Sequence, residues 1–308
     1  MSEKNQPRAM LLAGLAVFLW STVATAFKLS LALLTPLQLL AWASLFSMLF
    51  LMAVVSWQKQ WGALFTFFRE QPAYAVLLGV INPAVYYLVL FRAYDLLPAQ
   101  QAQTINYTWA LTLSLLAVPF LKQSLRPRDM IALAGGYFGA LIIATRGNLL
   151  ALDFDSIEGV LLAMLSTLFW AMYWILNTRA TAPATASLLA CFMVGTPLVW
   201  ALMVWQGELH LPEPKALAGA LYVGLFEMGV TFMLWLGAMR SAVHVSRVSN
   251  LIFLSPFLSL VFIRYFLNEP IAPATFIGLA MIICAVIYQQ RGGSDETPEA
   301  AAEAQNQR

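Results

Sequence analysis

The chain has 308 residues, of which 61% are hydrophobic and only 10% charged, with a net charge of +2. An ordinary globular domain carries about 25% charged residues, so the composition excludes a soluble domain, and so small a net charge does not point to a nucleic-acid partner. Both cysteines, Cys191 and Cys284, fall inside apolar runs and read as small hydrophobes, not as a disulfide or a metal site.

Apolar runs follow one another along the chain at about 9–27, 36–57, 72–93, 98–120, 129–146, 157–178, 183–205, 215–239, 244–266 and 271–290. Each is long enough as a helix to cross a hydrocarbon core about 30 Å thick. The sequence therefore predicts an all-α integral membrane protein of ten transmembrane helices joined by short connections. If the N-terminus is cytoplasmic, the inner segments hold Lys4, Arg8, Lys59, Arg69, Lys122, Arg126, Arg128, Arg179, Arg240, Arg247, Arg291 and Arg308, and the outer ones only Lys28, Arg92, Arg146, Lys215 and Arg264. The bias of Lys and Arg toward the inner side predicts that both termini are cytoplasmic. Lys4 and Arg8, the run MLLAGLAVFLW and Ala24-Thr25-Ala26 also fit a secretory signal, but the sixth run resembles the first and cannot be a signal.

The two halves are related. An offset of 146 lays Pro127 on Pro273, Ile131 on Ile277 and the pair Leu133-Ala134 on Leu279-Ala280. Offsets near 145 and 150 lay Asn82 on Glu227 and Trp20 on Trp170. Five helices per copy is an odd number, so the second copy enters from the opposite side, giving two inverted repeats around a central cavity. The expected organisation is a cytoplasmic N-terminus (1–8), a first repeat (9–146), a periplasmic connection (147–156), a second repeat (157–290) and a disordered cytoplasmic tail (291–308), whose composition cannot bury a core.

Glu227 stands midway along the eighth run, inside YVGLFEMGVTFMLW. A charge at that depth costs about 2.5–3.5 kcal/mol on insertion scales, so its side chain is expected to face the bundle interior or a wet cavity. Its repeat partner Asn82 precedes Pro83, which lacks a backbone donor and perturbs the third helix. Tyr86 and Thr231 follow each by one turn and extend a polar stripe. Two readings stand for this pair: hydrogen-bonding glue between helices, or a substrate pathway. Further polar residues lie in the fourth run (Gln103, Asn106, Tyr107) and in the ninth (Ser246, Arg247, Ser249, Asn250, then a mid-helix Pro256). Arg247 either snorkels to the cytoplasmic surface or meets a substrate carboxylate.

Trp57, Trp61, Trp200, Trp205 and Tyr222 lie near predicted helix ends and read as an interfacial aromatic belt. Trp20, Trp109, Trp170, Tyr173 and Trp174 sit deeper, where an indole N–H or phenol O–H requires a partner or a polar cavity. Core packing and substrate contact are both open for them. Gly135 and Gly139 form a GxxxG in the fifth run, which fits either a dimer contact or close packing within one chain.

FLWSTVATAFK (18–28), NYTWA (106–110), FWAMYWILN (169–177) and SNLIFLSPFLSLVFIRYFLNEP (249–270) resemble the drug/metabolite transporter superfamily in its ten-helix EamA branch. The mid-membrane Trp and Tyr set is similar to aromatic amino-acid exporters of the YddG type. The resemblance implies a basket of helices around a central cavity and export of amino acids, foremost aromatic ones, or related amphipathic metabolites. It also implies a location in the inner membrane. The terminal LNEP (267–270) matches the family's acid, whereas the first copy has LKQS (121–124) and lacks it, which leaves a symmetric role for Glu269 unsupported. The expected substrate-binding set is Trp20, Asn82, Tyr86, Tyr107, Trp109, Trp170, Trp174, Glu227, Arg247 and Asn250. A ring-lined pocket would take the apolar side chain, and the polar members the ammonium and carboxylate. No cofactor or metal is expected. The expected partners are a small-molecule substrate and bilayer lipid, with the protein a monomer or weak dimer. Competing functions are a drug or nucleotide-sugar carrier of the same superfamily and, more distantly, an intramembrane enzyme. The enzyme lacks support because neither G-x-S-x-G nor H-E-x-x-H occurs.

Overall fold

A computed structural model describes residues 5–121, 126–150, 154–177, 180–244, 248 and 250–290. Every regular element among them is helical. In chain order they are α1 (Gln6–Leu31), α2 (Pro36–Trp57), α3 (Trp61–Glu70), α4 (Pro72–Gly79), α5 (Tyr86–Leu96), α6 (Ala99–Asn106), α7 (Trp109–Leu121), α8 (Pro127–Ala144), α9 (Ile157–Asn177), α10 (Ala184–Trp205), α11 (Pro214–Phe226), α12 (Val230–Ser241), α13 (Ser255–Leu267) and α14 (Pro273–Gln290). Each predicted apolar run holds one helix or a broken pair. Among the described residues, six helical stretches are long and apolar enough to cross a membrane, and the protein is a multi-pass membrane protein. Apolar side chains on the outer faces, such as Leu11, Phe18, Leu161 and Val261, are exposed as a lipid-facing surface requires.

Local chemistry sets the helix starts. The Asn5 side chain accepts from Arg8 N at 2.9 Å, and Thr35 and Gln38 form a capping box at α2. Proline stands in the first turn of α2, α4, α8 and α11, where its missing N–H leaves no bond unmade. Inside the bundle, buried hydroxyls such as Ser21 and Ser44 bond back to carbonyls of their own helices and so add no unpaired donor.

Helix packing repeats itself between the halves. α1 packs on α11 and α12 as α9 packs on α4 and α5, and α1 meets α13 as α9 meets α7. α2 lies against α11 as α10 lies against α4, while α2–α10 and α8–α14 pair a helix with its own counterpart. The glycines follow the same rule. A Cβ on Gly79 would lie 2.8 Å from the Cys191 carbonyl of α10, and one on Gly224, its partner at the 145 offset, would collide with the Ala43 carbonyl of α2. Each seats a helix directly on its neighbour's backbone, three residues before Asn82 or Glu227.

Three features depart from the sequence expectation. The connection between the second and third runs contains an amphipathic helix, α3, which buries Leu64 and Phe67 and exposes Phe65. At ten residues it is too short to register as a span. Pro256 is not mid-helix but in the first turn of α13, after a 3₁₀ turn at Asn250–Leu254. Trp57 and Trp205 are 82% and 81% exposed, as belt residues must be, whereas Trp200 and Tyr222 are engaged within the protein. Trp200 donates its indole N–H to the Ala41 carbonyl at 2.9 Å, and the Tyr222 hydroxyl lies 2.6 Å from that of Thr22. Of the GxxxG pair, Gly139 is used within the chain, where a Cβ would sit 2.7 Å from the Gly278 carbonyl of α14.

Candidate functional site

The helical rods formed by the third and eighth apolar runs, α4–α5 and α11–α12, both break near their middles, at matched positions. Between α4 and α5 runs a π turn, Val80–Val85, in which Asn82 leaves helical geometry (φ −135°, ψ 118°) and Pro83 supplies no N–H. Between α11 and α12 lies the turn Glu227–Gly229, with Gly229 at φ −129°, ψ −88°. Discontinuous helices at the midplane mark substrate sites in transporters built from repeats, because backbone freed there must be satisfied by something other than the helix ladder. At the eighth rod it is satisfied locally. The Thr231 hydroxyl donates to the Phe226 carbonyl, and the Ser47 hydroxyl of α2 donates to the Met228 carbonyl at 3.1 Å. Pro83 was legible in sequence as a cause of the first break, whereas the Glu227–Gly229 turn carries no proline and only a glycine as its signal.

Glu227 accepts a hydrogen bond from the Tyr87 hydroxyl at 3.1 Å. It is partly accessible, while Asn82 is 2% exposed. The Asn82 amide stands beside the Tyr173 hydroxyl, and its Oδ1 is buried with no partner among the described residues.

Around these two groups the rings form one connected cluster. Trp170 stacks on Tyr86 (centroids 4.6 Å apart, 25° between planes) and on Tyr173 (5.5 Å), and meets Trp174 edge-on at 5.9 Å. Trp109 stacks on Trp174 at 6.4 Å. Tyr87 abuts Tyr86 at 4.7 Å. Trp20 reaches the cluster through Phe232, whose ring lies 5.7 Å from Trp20 and 6.2 Å from Trp170, so that one residue of α12 bridges the two repeat-related tryptophans. Trp235 flanks Trp20 at 5.6 Å. Tyr107 sits at the turn joining α6 to α7, facing Ser255 at the start of α13.

Of the ten expected residues, Trp20, Asn82, Tyr86, Trp109, Trp170, Trp174 and Glu227 therefore fall in one neighbourhood, with Tyr107 at a further helix break. Arg247 lies outside the described residues, as do Ser246 and Ser249, and only the backbone of Asn250 is described. Sequence reading passed over Tyr87 and Phe232. They stand at the same 145 offset as Asn82 and Glu227, which was the available signal. Asn106 donates to the Ser166 hydroxyl at 2.9 Å and also stands beside the Tyr86 hydroxyl, at the border of the cluster.

The rings close on one another at the centre. A cleft of about 730 Å³ lies at one end, between the α1–α2 and α10–α11 connections, and is lined by Gln38, Arg92, Asp95, Glu208 and His210 among others. At the start of α6 the chain is latched. Glu269 accepts from the Ala99 and Gln100 backbone N–H groups (3.1 and 3.3 Å) and from the Gln100 side chain (2.8 Å). The Gln100 side-chain oxygen in turn accepts from Ala272 N and the Thr275 hydroxyl. Lys28 donates to two carbonyls at the C-terminal end of α5, Tyr94 O and that of the capping residue Leu97, at 2.7 and 2.9 Å. Glu269 thus supplies, from outside the helix, acceptors for the first free N–H groups of α6.

Two related helical halves, each broken at its middle around polar and aromatic side chains, define a membrane transporter built on an internal duplication. The chain belongs to the EamA-like transporter family, whose profile matches residues 7–145 and again 157–288. It is 24% identical over 280 residues to an uncharacterized transporter of Archaeoglobus fulgidus, covering 90% of this chain and 95% of that one. It is also 24% identical over 221 residues to protein PecM of Dickeya dadantii, covering 70% and 72%. A crystal structure superposes with a TM-score of 0.64 at 21% identity, over 92% of this chain and 97% of the other, and shares the fold. The family and the relative named as a transporter place the protein among transporters of small molecules, not among enzymes.

Proposed function

We propose that the protein exports amino acids, foremost aromatic ones, across the inner membrane by alternating access, with ten crossings in two inverted repeats (9–146 and 157–290) and both termini in the cytoplasm. The observation that carries this reading is the ring cluster from Trp20 through Phe232 and Trp170 to Tyr86 and Trp109, flanked by Glu227 and Asn82 at two matched helix breaks. Rings gathered from α1, α5, α7, α9 and α12 offer an aromatic solute stacking partners in place of one another, and the polar pair supplies hydrogen bonds to its charged end. The packing of these rings on each other means that the solute enters by separating helices of the two halves, which alternating access provides.

The test is counterflow into proteoliposomes with labelled aromatic, aliphatic and basic amino acids and purines. Exchange of phenylalanine, tyrosine and tryptophan above the rest is the expected result. Exchange confined to purines or basic amino acids would overturn it.

A further inference from the structure

Thr112, Tyr137 and Thr167 bring three hydroxyls together where α7, α8 and α9 meet. Thr167 is the middle residue of α9 and Tyr137 lies within two residues of the middle of α8, so the group stands near the centre of the hydrocarbon. α8 and α9 each pack on α7 but scarcely touch one another. The gap between them is a groove of about 270 Å³. Buried Thr112 and Thr167 form its floor, and exposed Leu161, Leu165 and Leu168 form its wall toward the lipid. The fold does not require hydroxyls at this place. At the repeat offsets of 146 and 150, the other half holds Leu258, Ile283 and Val17 instead.

Each of these hydroxyls has one hydrogen to give, and all three can be traced. Thr167 donates to the Met164 carbonyl of its own helix at 2.7 Å. Its 2.9 Å contact with Thr112 therefore takes the Thr112 hydrogen, whose other acceptor is the Thr108 carbonyl at 3.2 Å. Either way Thr112 has none left for Tyr137, and Tyr137 donates to Thr112 across 2.8 Å. Reversing that bond would strand the Tyr137 hydrogen in hydrocarbon, where no water can take it. The groove thus presents a phenol oxygen that has spent its donor and keeps lone pairs to accept.

We propose that this groove is a lateral binding site for a small membrane-dissolved molecule with an apolar body and one O–H donor, such as an alkylphenol, which hydrogen-bonds to the Tyr137 oxygen. Acyl chains of the bilayer fill apolar gaps as well, but they have no donor to offer. A cavity of about 150 Å³ holds benzene, so at the same filling this one takes about eleven non-hydrogen atoms. The site stands apart from the ring cluster and from the amino-acid reading, although α9 carries Thr167 for the one and Trp170 for the other.

The test uses the full-length protein in lipid nanodiscs and a photoreactive 4-alkylphenol, with labelled residues located by mass spectrometry. The competitors are 4-pentylphenol and 4-pentylanisole at equal concentrations in the membrane, the second having a methoxy group in place of the O–H donor. The phenol is expected to suppress labelling of the α8–α9 groove more potently by severalfold, up to about tenfold, as one hydrogen bond allows. Tyr137→Phe is expected to erase that difference. Leu165→Trp, which fills the groove from its lipid-facing wall, is expected to remove the competed labelling while the protein melts as the wild type does. That second variant keeps the test valid if Tyr137→Phe disturbs the bundle. Equal competition by the two solutes would reduce the groove to a place for acyl chains, and a phenol preference that persists in Tyr137→Phe would overturn the assignment. Labelling that neither solute suppresses would overturn it as well.

Discussion

Tyr87 donates its hydroxyl to Glu227 Oε1 across 3.1 Å and so ties the broken third rod of one half to the broken eighth rod of the other. Tyr87 is 1% exposed, so without this bond its hydroxyl is an unpaired buried group, whereas Glu227 is partly accessible. Removing one partner leaves a buried group unsatisfied at a cost of about 1–3 kcal/mol. Tyr87→Phe is therefore expected to lower the midpoint of thermal unfolding in detergent. Glu227→Leu, which removes the acceptor, is expected to show with Tyr87→Phe a coupling of about 0.5–3 kcal/mol in a double-mutant cycle. Additive effects would mean that the contact carries no stability.

Glu227 is also the one carboxylate at the matched helix breaks, and Gln keeps its shape while removing its titration. Counterflow of the wild type is expected to change with pH as this carboxyl gains and loses its proton, whereas Glu227→Gln is expected to give a flat profile with substrate binding retained. The check is the initial rate over a pH series at fixed substrate. A variant whose profile overlays the wild type would reduce Glu227 to a structural link.

Glu269 accepts from two backbone N–H groups at the start of α6 and from the Gln100 amide. Loss of acceptors at a helix start costs about 0.5–2 kcal/mol. Glu269→Ala should lower thermal stability by that amount, and a cysteine at Ala99 should then react faster with a membrane-impermeant maleimide. Because Gln123 stands where the first copy would place the acid, Gln123→Ala is expected to have a smaller effect.

Much of this arrangement was legible in the sequence, and the reasons are physical. A span must be apolar for about 20 residues, so the rods were visible as runs. A carboxylate inside one is so costly that Glu227 identified itself. The 145 offset then found Asn82, and Pro83 announced the break beside it. What escaped was set by partners distant in sequence. Phe232 is one aromatic among many until its ring is seen between Trp20 and Trp170. Trp200 looked interfacial from its place near a helix end, but α2 supplies it with a carbonyl. The short helix α3 is amphipathic and lies below the length that a span-seeking reading detects.

The proposed topology rests on the distribution of Lys and Arg. Reporter fusions after residue 150 are expected to report the periplasm, and fusions after residues 180 and 291 the cytoplasm. A periplasmic signal after residue 291 would contradict the five-plus-five inverted arrangement.

The central claim is that the cluster around Trp170 recognises the side chain of the solute. Ring pairs contribute about 0.5–1.5 kcal/mol beyond burial, and a factor of ten corresponds to about 1.4 kcal/mol. The direct measurement is the ratio of phenylalanine to alanine counterflow in proteoliposomes holding wild-type protein or Trp170→Leu at matched amounts, with Trp109→Leu in parallel. The ratio is expected to fall severalfold, approaching tenfold, in Trp170→Leu, and to fall less in Trp109→Leu, whose ring touches the cluster only through Trp174. Equal loss for both solutes would make these tryptophans packing for the bundle, and an unchanged ratio would place the recognition of substrate elsewhere in the protein.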